Sequence, residues 1–290
     1  MNGQRVHGRF TPYLFLLPAL AVLGVFVAGS FVQAAYYSLT RYTAFAPARW
    51  VGLENYRRLV SDDRFWACLG NSFLYLLVTP ALVVLSLWAA MVVRSGIRGH
   101  RGLRLALFLP VVTPTIVAAI AWRLLLAGDG LANQALEAIG LDPVGWLTRR
   151  PWTLISPMLV TLWKGFGFYM MIFLAGLLTV PRELEEAAEV DGAGRWGVFR
   201  HVVLPSILPV MVLVVVISSI SAMKVFDELF VTVRGVPVEH QTAVPLIYYW
   251  AVEVGDYGQA SALGMALFVV ILSMSLVNLR LSRRGGEAER

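Results

Sequence analysis

The 290-residue chain has few charges, two lysines and one cysteine. Only 14% of its residues are charged, whereas about a quarter are in a typical soluble domain. The single cysteine, Cys68, excludes an intramolecular disulfide and a cysteine-based metal cluster. Neither Lys164 nor Lys224 lies in the G-x-x-x-x-G-K-[ST] loop that binds ATP phosphates. The four histidines are scattered and complete no Ser/His/Asp or Cys/His set. We therefore expect no catalytic residue, no metal site and no cofactor bound by this chain.

Long apolar stretches are what the chain has in abundance, since 58% of its residues are hydrophobic and its mean hydropathy is +0.70. A helix crosses a bilayer with about 20 apolar residues. Six stretches qualify, at residues 13–37, 71–93, 103–126, 152–180, 204–225 and 259–281. The predicted fold class is all-α integral membrane with six transmembrane helices. One membrane domain at 13–282 lies between tails at 1–12 and 283–290.

Arginines indicate how the spans are oriented, because cytoplasmic loops of membrane proteins carry an excess of basic residues. The short loop after the second span holds Arg94, Arg98, Arg101 and Arg104 and no acid. With six spans both termini share a side. We therefore place both termini and the loop between the fourth and fifth spans in the cytoplasm, and the chain in the cell inner (plasma) membrane. The net charge of +6 is then a topology signal rather than a sign of nucleic-acid binding.

The loop at residues 181–205, called the acidic loop below, holds five acids between Glu183 and Asp191, although the whole chain has only 18. Pro181 is suited to the first turn of a helix, where its missing N–H costs little. Asp191-Gly192 is a turn signal, because glycine accepts backbone angles that other residues resist. The pattern predicts a helix, a turn and a second helix at about 194–203.

The second predicted helix carries an apolar stripe of Trp196, Phe199 and Val203, which lie on one helix face at spacings of three and four. A fully solvated loop has no need of such a stripe. The residues alone leave two interpretations open: docking against another protein, or an interfacial helix with its aromatic rings among lipid headgroups.

Residues 186–205 resemble the loop shared by permeases of binding-protein-dependent ABC transporters, which reads E-A-A, three residues, G, and about nine residues to an aliphatic residue and proline. Glu186-Ala187-Ala188, Gly192 and Leu204-Pro205 match this pattern. The segments "WVGLENYRRL", "LFLPVVTPTIVAAIAWRLL" and "MKVFDELFVTV" are similar to the carbohydrate-uptake branch, which includes maltose-type and glycerol-3-phosphate-type permeases. Together with other matching segments, the resemblance covers most of the chain.

The resemblance implies that the acidic loop is a coupling helix seated in a cleft of an ATPase subunit. The residues to which it assigns this docking role are Glu186, Ala187, Ala188, Asp191, Gly192, Ala193, Trp196, Phe199 and Pro205. Glu186 and Asp191 are expected to offer hydrogen-bond acceptors to the ATPase, and Gly192 to permit a close turn. Trp196 and Phe199 are expected to anchor the second helix on the membrane domain or in the cleft.

The resemblance also implies a function and a set of partners. The chain is expected to be the permease subunit of an ABC importer for a sugar or related polyol, and not itself an enzyme. Its expected partners are a dimer of ATPase subunits, which use the ATP, a second permease subunit, an extracytoplasmic solute-binding protein and membrane lipid. The alternatives are an ABC permease for a non-sugar solute and, with less support, an ion-coupled secondary carrier. An ion-coupled carrier is expected to have an acidic residue deep in a span, and no predicted span contains one.

Polar residues in the fourth and fifth spans are candidates for the solute pathway, because charges in a membrane are costly. The candidates are Lys164, Tyr169, Ser218, Ser221, Lys224, Phe226 and Asp227. Lys164 either lines the pathway or extends its amine to the interface. Lys224 and Asp227, three residues apart, are predicted to share a helix face, where they form an interfacial ion pair or contact solute.

Overall fold

The computed structural model describes residues 11–96 and 99–287, which are predominantly helical. The predicted tails at 1–12 and 283–290 and the topology residue Arg98 lie wholly or partly outside these ranges. The first half of the described chain contains α1 Thr11–Val22, α2 Ser30–Ser38, α3 Glu54–Val60, α4 Asp63–Tyr75, α5 Val78–Arg94, α6 His100–Val112, α7 Thr115–Leu125 and α8 Leu131–Ala138. The second half contains α9 Trp152–Leu177, α10 Arg182–Val190, α11 Arg195–Val198, α12 Leu204–Ser206, α13 Leu208–Met223, α14 Asp227–Thr232, α15 Ala243–Tyr248 and α16 Tyr257–Glu287. Short π-helical segments at Leu23–Gly29, Phe199–Val203 and Tyr249–Val254 and a 3₁₀ turn at Val238–His240 complete the helical structure.

Four helices among the described residues are long and apolar enough to cross a membrane. They are Tyr13–Ser38, Asp63–Arg94, Trp152–Leu177 and Tyr257–Arg280. Two further stretches qualify only as bent pairs, so the number of spans is four, or up to six if each pair is one span. All six coincide in position with the six stretches predicted from hydropathy.

The bent pairs correct the expectation of two simple spans at 103–126 and 204–225. Helices α6 and α7 meet at 97°, and Arg195–Ser206 meets α13 at 69°. Between α6 and α7 the backbone is extended at Thr113 and Pro114, with ψ values of 129° and 134°. Proline disfavours the helical conformation of the residue before it and has no N–H to donate. Residues 113–114 therefore end one helix and start another.

The chain divides into two compact units. The first comprises residues up to 62 together with 247–267. It contains a feature that the all-helical prediction did not include, an antiparallel hairpin of β1 (Thr40–Thr43) and β2 (Ala46–Trp50). The buried Asn55 of α3 donates to the carbonyls of Ser38 and Thr40 at 2.9 and 2.8 Å, and so ties α3 to the start of the hairpin.

The second unit, residues 63–246 and 268–290, contains the main apolar core. Helix α5 packs along α9, and α6 and α13 pack beside them. Phe173, Leu177 and Leu82 are almost fully buried at this centre. Two hydrogen bonds join α4 and α5 to α9: Tyr75 to Thr161 at 2.8 Å, and Ser86 to the carbonyl of Phe166 at 2.9 Å. These contacts hold the side chains of α9 around the cavity described below.

Candidate functional site

The acidic loop folds as a helix, a turn and a second helix, as its sequence predicts. Helix α10 follows Pro181 and has Glu183 and Glu185 in its first turn, where the helix dipole favours negative charge. The helix ends at Val190 and is followed by Asp191 and by Gly192, whose φ of +87° lies in the left-handed region. The N–H of Ala193 reaches back to the carbonyl of Ala188 at 2.9 Å, the bond typical of a glycine-terminated helix.

The second helix of the loop is less regular than predicted. It begins as α11, continues as the π-helical segment Phe199–Val203 and runs into α12. The rings of Trp196 and Phe199 contact each other, with centroids 5.4 Å apart. However, Val203 is buried and Trp196 is 70% exposed. The predicted apolar stripe is therefore buried at its Val203 end and exposed at its Trp196 end. Phe199 packs against the core, which leaves Trp196 available to a partner.

An ion pair fastens the acidic loop to the end of α5. Arg94 of α5 is paired with Glu185 of α10, and their side chains are only 19% and 25% exposed. Ala188 and Ala193 also pack against the apolar core. A groove of about 620 Å³ lies beside this pair, and its charged lining residues are Arg94, Arg182, Glu185, Glu186, Glu189 and Arg195. The loop is therefore attached through its inner face.

The outer face of the loop is uncovered. Glu186, Ala187, Asp191 and Gly192 are exposed. Large apolar side chains are exposed beside them, namely Leu184, Val190 and Trp196. A Cβ added to Gly192 would meet no atom within 4 Å. The face thus combines carboxylate acceptors with apolar contact area, a composition suited to a protein partner. Pro205, the last predicted residue of the set, lies in α12 at the foot of the fifth stretch.

A cavity of about 410 Å³ lies among α5, α6, α7, α9, α13 and α14. Four of the seven predicted pathway residues line it: Lys164, Tyr169, Ser218 and Ser221. An adjoining cavity of about 330 Å³ is lined by Ser221 again and by the other three, Lys224, Phe226 and Asp227. Thr161, Ser221 and Glu228 belong to both linings. The structure therefore brings all seven predicted residues together around two adjacent cavities.

The polar groups of the cavity differ in how free they are to bind a solute. The Ser218 hydroxyl donates to the carbonyl of Val214 within its own helix at 2.7 Å, and Ser218 is 1% exposed. Ser221 is exposed, and its side chain lies near that of Tyr169. The Lys164 amine reaches the carbonyl of Val111 at 3.5 Å, so it points across the cavity from α9 towards α6. Ser221, Tyr169 and Lys164 are the better-placed members of the set.

Glu228 is the cavity residue that the sequence reasoning missed. The fifth span was predicted to end at 225, which left Glu228 in an outer loop. In the structure α14 packs against α7 and α9, so Glu228 lines both cavities and interacts electrostatically with Lys164. The expectation of acid-free spans therefore does not argue against an ion-coupled carrier, since an acid lies beside the predicted pathway.

The predicted shared helix face of Lys224 and Asp227 is wrong. Helix α13 ends at Met223 and α14 begins at Asp227. Phe226, between them, has φ −138° and ψ −61°, outside the helical region. The two charges therefore flank a break in the helix. Both line the smaller cavity together with Glu228.

Comparisons with known proteins identify relatives of similar length. The chain is 32% identical over 274 residues to the trehalose/maltose transport system permease protein MalF of Thermococcus litoralis, with 93% of each chain covered. It is 33% identical over 277 residues to the arabinooligosaccharides transport system permease protein AraP of Bacillus subtilis, which covers 93% of this chain and 88% of AraP.

A solved structure shares the fold. A chain in the crystal structure of a bacterial alginate ABC transporter, in complex with a periplasmic protein bound to an alginate pentasaccharide, matches with a TM-score of 0.81 and 23% identity. The match covers 94% of each chain. The family model described as binding-protein-dependent transport system inner membrane component matches residues 82–284, which include the acidic loop and both cavities. The chain therefore belongs to the family of inner membrane components of binding-protein-dependent transport systems.

Proposed function

We propose that this chain is the permease subunit of an ABC importer, that it forms part of the pathway for a sugar or related polyol, and that its acidic loop docks a separate ATPase. The observation that carries the proposal is the acidic loop itself. Its inner face is fastened by the Arg94–Glu185 pair, while its outer face leaves carboxylates and large apolar side chains uncovered. Relatives named for trehalose/maltose and for arabinooligosaccharides, aligned over most of the chain, support the sugar.

The ATPase contacts the outer face of the acidic loop. Glu186 and Asp191 accept hydrogen bonds from the ATPase. The side chains of Leu184, Val190 and Trp196 pack into apolar pockets on the ATPase surface. Because α10 is tied to α5 through Arg94 and Glu185, a movement of the loop is transmitted to a membrane-spanning helix. Closure of the ATPase pair thus switches the spans between inward-open and outward-open states. ATP is bound and hydrolysed by the partner, since this chain has no phosphate-binding loop.

The solute passes by the two adjacent cavities. Sugars need hydrogen-bonding partners for their hydroxyls and an apolar or aromatic surface for their C–H faces. Ser221, Lys164 and Glu228 supply the former, and Tyr169 and Phe226 the latter. Lys164, Lys224, Asp227 and Glu228 contribute two positive and two negative side chains, so the lining has a balanced charge. This balance favours a neutral polyhydroxy solute over an anion.

Two further subunits complete the transporter. A second permease subunit packs beside this chain. The resemblance to the carbohydrate-uptake branch, which commonly pairs two permeases, supports this partner. A solute-binding protein delivers the sugar on the extracytoplasmic side, as the periplasmic protein in the alginate transporter complex suggests. Both termini lie in the cytoplasm.

Co-purification tests the proposal. The tagged chain is extracted gently from its own membranes, and the proteins that accompany it are identified by mass spectrometry. The wild-type chain is expected to bring an ATPase with a phosphate-binding loop and a second permease. Gly192→Trp places a large ring on the outer face of the acidic loop and should lose the ATPase.

Gly140→Trp is the matched control. Gly140 also has a positive φ, +79°, and open space around its Cβ position, but it follows α8, far along the chain from the acidic loop. Both variants therefore incur a similar backbone cost of about 1–2 kcal/mol. Loss of the ATPase from both variants, or retention in both, contradicts the docking role. A wild-type chain that comes alone would favour the secondary carrier.

A further inference from the structure

Lys164 is a charged side chain in the middle of a continuous apolar helix. Helix α9, a candidate membrane span, runs without a break from Trp152 to Leu177. A charge inside a span is costly and is usually paired with an opposite charge or with backbone carbonyls. Lys164 has a partner of each kind, and each partner lies at a break in a neighbouring helix.

The first partner is a carbonyl at the bend between α6 and α7. In a continuous helix the carbonyl of Val111 would accept the N–H of Thr115. The two helices instead meet at 97° around Thr113 and Pro114, so the last carbonyls of α6 lack a following helical turn. The Lys164 amine lies 3.5 Å from the carbonyl oxygen of Val111 and donates to it. A lysine is suited to this position, because its charge also interacts favourably with the carboxyl end of a helix.

The second partner is a carboxylate just after the break between α13 and α14. Helix α13 ends at Met223 and α14 begins at Asp227. Glu228, in the first turn of α14, lines the cavity of about 410 Å³ together with Lys164 and interacts electrostatically with it. One amine on a continuous helix therefore links α9 both to the end of α6 and to the start of α14.

The helices that follow the two breaks pack on each other. Helix α14 lies against α7, and the guanidinium of Arg123 on α7 donates to the carbonyl of Val231 on α14 at 3.4 Å. Ala119 of α7 and Leu229 of α14 are completely buried. Helices α7 and α14, called the α7–α14 pair below, thus form one packed body. The two breaks join this body to α6 and α13.

We propose that Lys164 is a positioning residue that holds the α7–α14 pair against α9 until a solute arrives. The inference rests on the proposed passage of a sugar along the two cavities. A sugar hydroxyl that accepts from the Lys164 amine replaces the carbonyl of Val111 and so releases the pair. The residues at the two breaks then absorb the backbone change, as hinge residues do. Since the solute gains this bond only in the released state, its binding shifts the population towards that state. The rival role for Lys164 is that of a solute ligand alone.

The test measures the distance between α7 and α9 in the complete transporter, in nanodiscs without solute, binding protein or ATP. Spin labels at Leu124→Cys, on α7, and Leu178→Cys, directly after α9, report this distance by pulsed double electron–electron resonance. Both leucines are 69% exposed, and Cys68→Ser removes the one native cysteine. The 26 residues of α9 extend over about 39 Å, so the two labels are far enough apart for the method.

Lys164→Met removes the amine and keeps a side chain of similar length. It should raise the population of a second distance several-fold, because the α7–α14 pair is released without solute. Lys164→Arg keeps the charge and the N–H donors and should restore the wild-type distribution. Lys224→Met is the matched control, because it removes the same group from the lining of the adjoining cavity. It should leave the distribution unchanged.

Each outcome decides the proposal. A second distance in Lys164→Met that is absent from the arginine variant and from the control supports the holding role. An unchanged distribution in Lys164→Met overturns it and leaves Lys164 a solute ligand alone. Equal changes in both methionine variants overturn it too, since the loss of any cavity charge then suffices. The wild-type transporter should show the second distance when it is given the binding protein with its co-purified solute, and no change there would contradict release by solute. The comparison of the variants needs neither solute nor ATP, so failure of the proposed import function would appear in the co-purification and not in these distances.

Discussion

Helices α6 and α9 approach so closely at Gly167 that a single methyl group should separate them. A Cβ built at Gly167 would lie 2.1 Å from the carbonyl oxygen of Leu107 and 3.2 Å from the Cγ2 of Val111. A carbon and a carbonyl oxygen ordinarily approach to about 3.3 Å. Gly167→Ala therefore requires a displacement of about 1.2 Å. Because the obstructing atom belongs to the backbone, no rotamer change can relieve the clash.

The expected cost follows from this displacement. Overpacking a close-packed interior costs about 1–3 kcal/mol, and a chain of this size loses roughly 2–4 °C in melting temperature for each kcal/mol. Gly167→Ala should therefore lower the melting temperature of the purified transporter by several degrees. The shift would also disturb the reach of Lys164 from α9 to Val111 on α6. Solute uptake should consequently fall even at temperatures where the complex is intact.

Gly165→Ala is the matched control on the same helix. Its Cβ would meet the Cδ2 of Leu82 at 3.4 Å and the Cε2 of Tyr169 at 3.6 Å, which are ordinary contacts with side chains rather than with backbone. Alanine also favours a helix over glycine by about 0.5–1 kcal/mol. Gly165→Ala should therefore be neutral or slightly stabilising. Equal melting temperatures for the two variants, measured by fluorescence-detected gel filtration after heating, would refute the close approach of α6 and α9.

Three further predictions concern the loop, the outer connections and the cavity. Arg94→Glu should lower solute uptake for each ATP hydrolysed, and the exchange of charges with Glu185→Arg should restore it; failure of the exchange would indicate that the pair does not position the loop. Asn71→Ala removes hydrogen bonds of 2.9 Å from the Asn71 amide to the carbonyls of Glu239 and Gln241. Amide hydrogen exchange at residues 236–243 should therefore accelerate by a factor that corresponds to about 1–3 kcal/mol. Unchanged exchange would show that Asn71 does not hold this segment in place. Ser221→Leu should impair uptake while the complex still assembles, and normal transport would remove Ser221 from the pathway.

Much of the fold could be predicted because its strongest signals are local in the sequence. Long apolar stretches mark the four long apolar helices and the two bent pairs. In the acidic loop, Pro181 and Asp191-Gly192 mark the start and end of α10 through backbone chemistry that neighbouring residues alone determine.

The features that the sequence did not predict depend on contacts between residues far apart in the chain or on the direction of a helix axis. Hydropathy detects apolar residues but not the direction of a helix axis. It therefore predicted one uninterrupted span where two helices meet at 97° around Thr113 and Pro114. The hairpin was missed because Pro47 and its alanine neighbours are weak strand formers, and its strand β1 is stabilised by residues 255–258, more than 200 positions away. Glu228 was assigned to a loop because only the packing of α14 on α7 and α9 brings it to the cavity.

Uptake by reconstituted vesicles tests the central claim most directly. The chain and its co-purified partners are placed in proteoliposomes, and the solute is whichever compound mass spectrometry finds on the co-purified solute-binding protein. The account predicts that this solute is a neutral sugar or polyol and that it accumulates only when ATP is on the side of the ATPase and binding protein is on the other. Accumulation without ATP, driven by a proton or sodium gradient, would contradict the account and identify a secondary carrier.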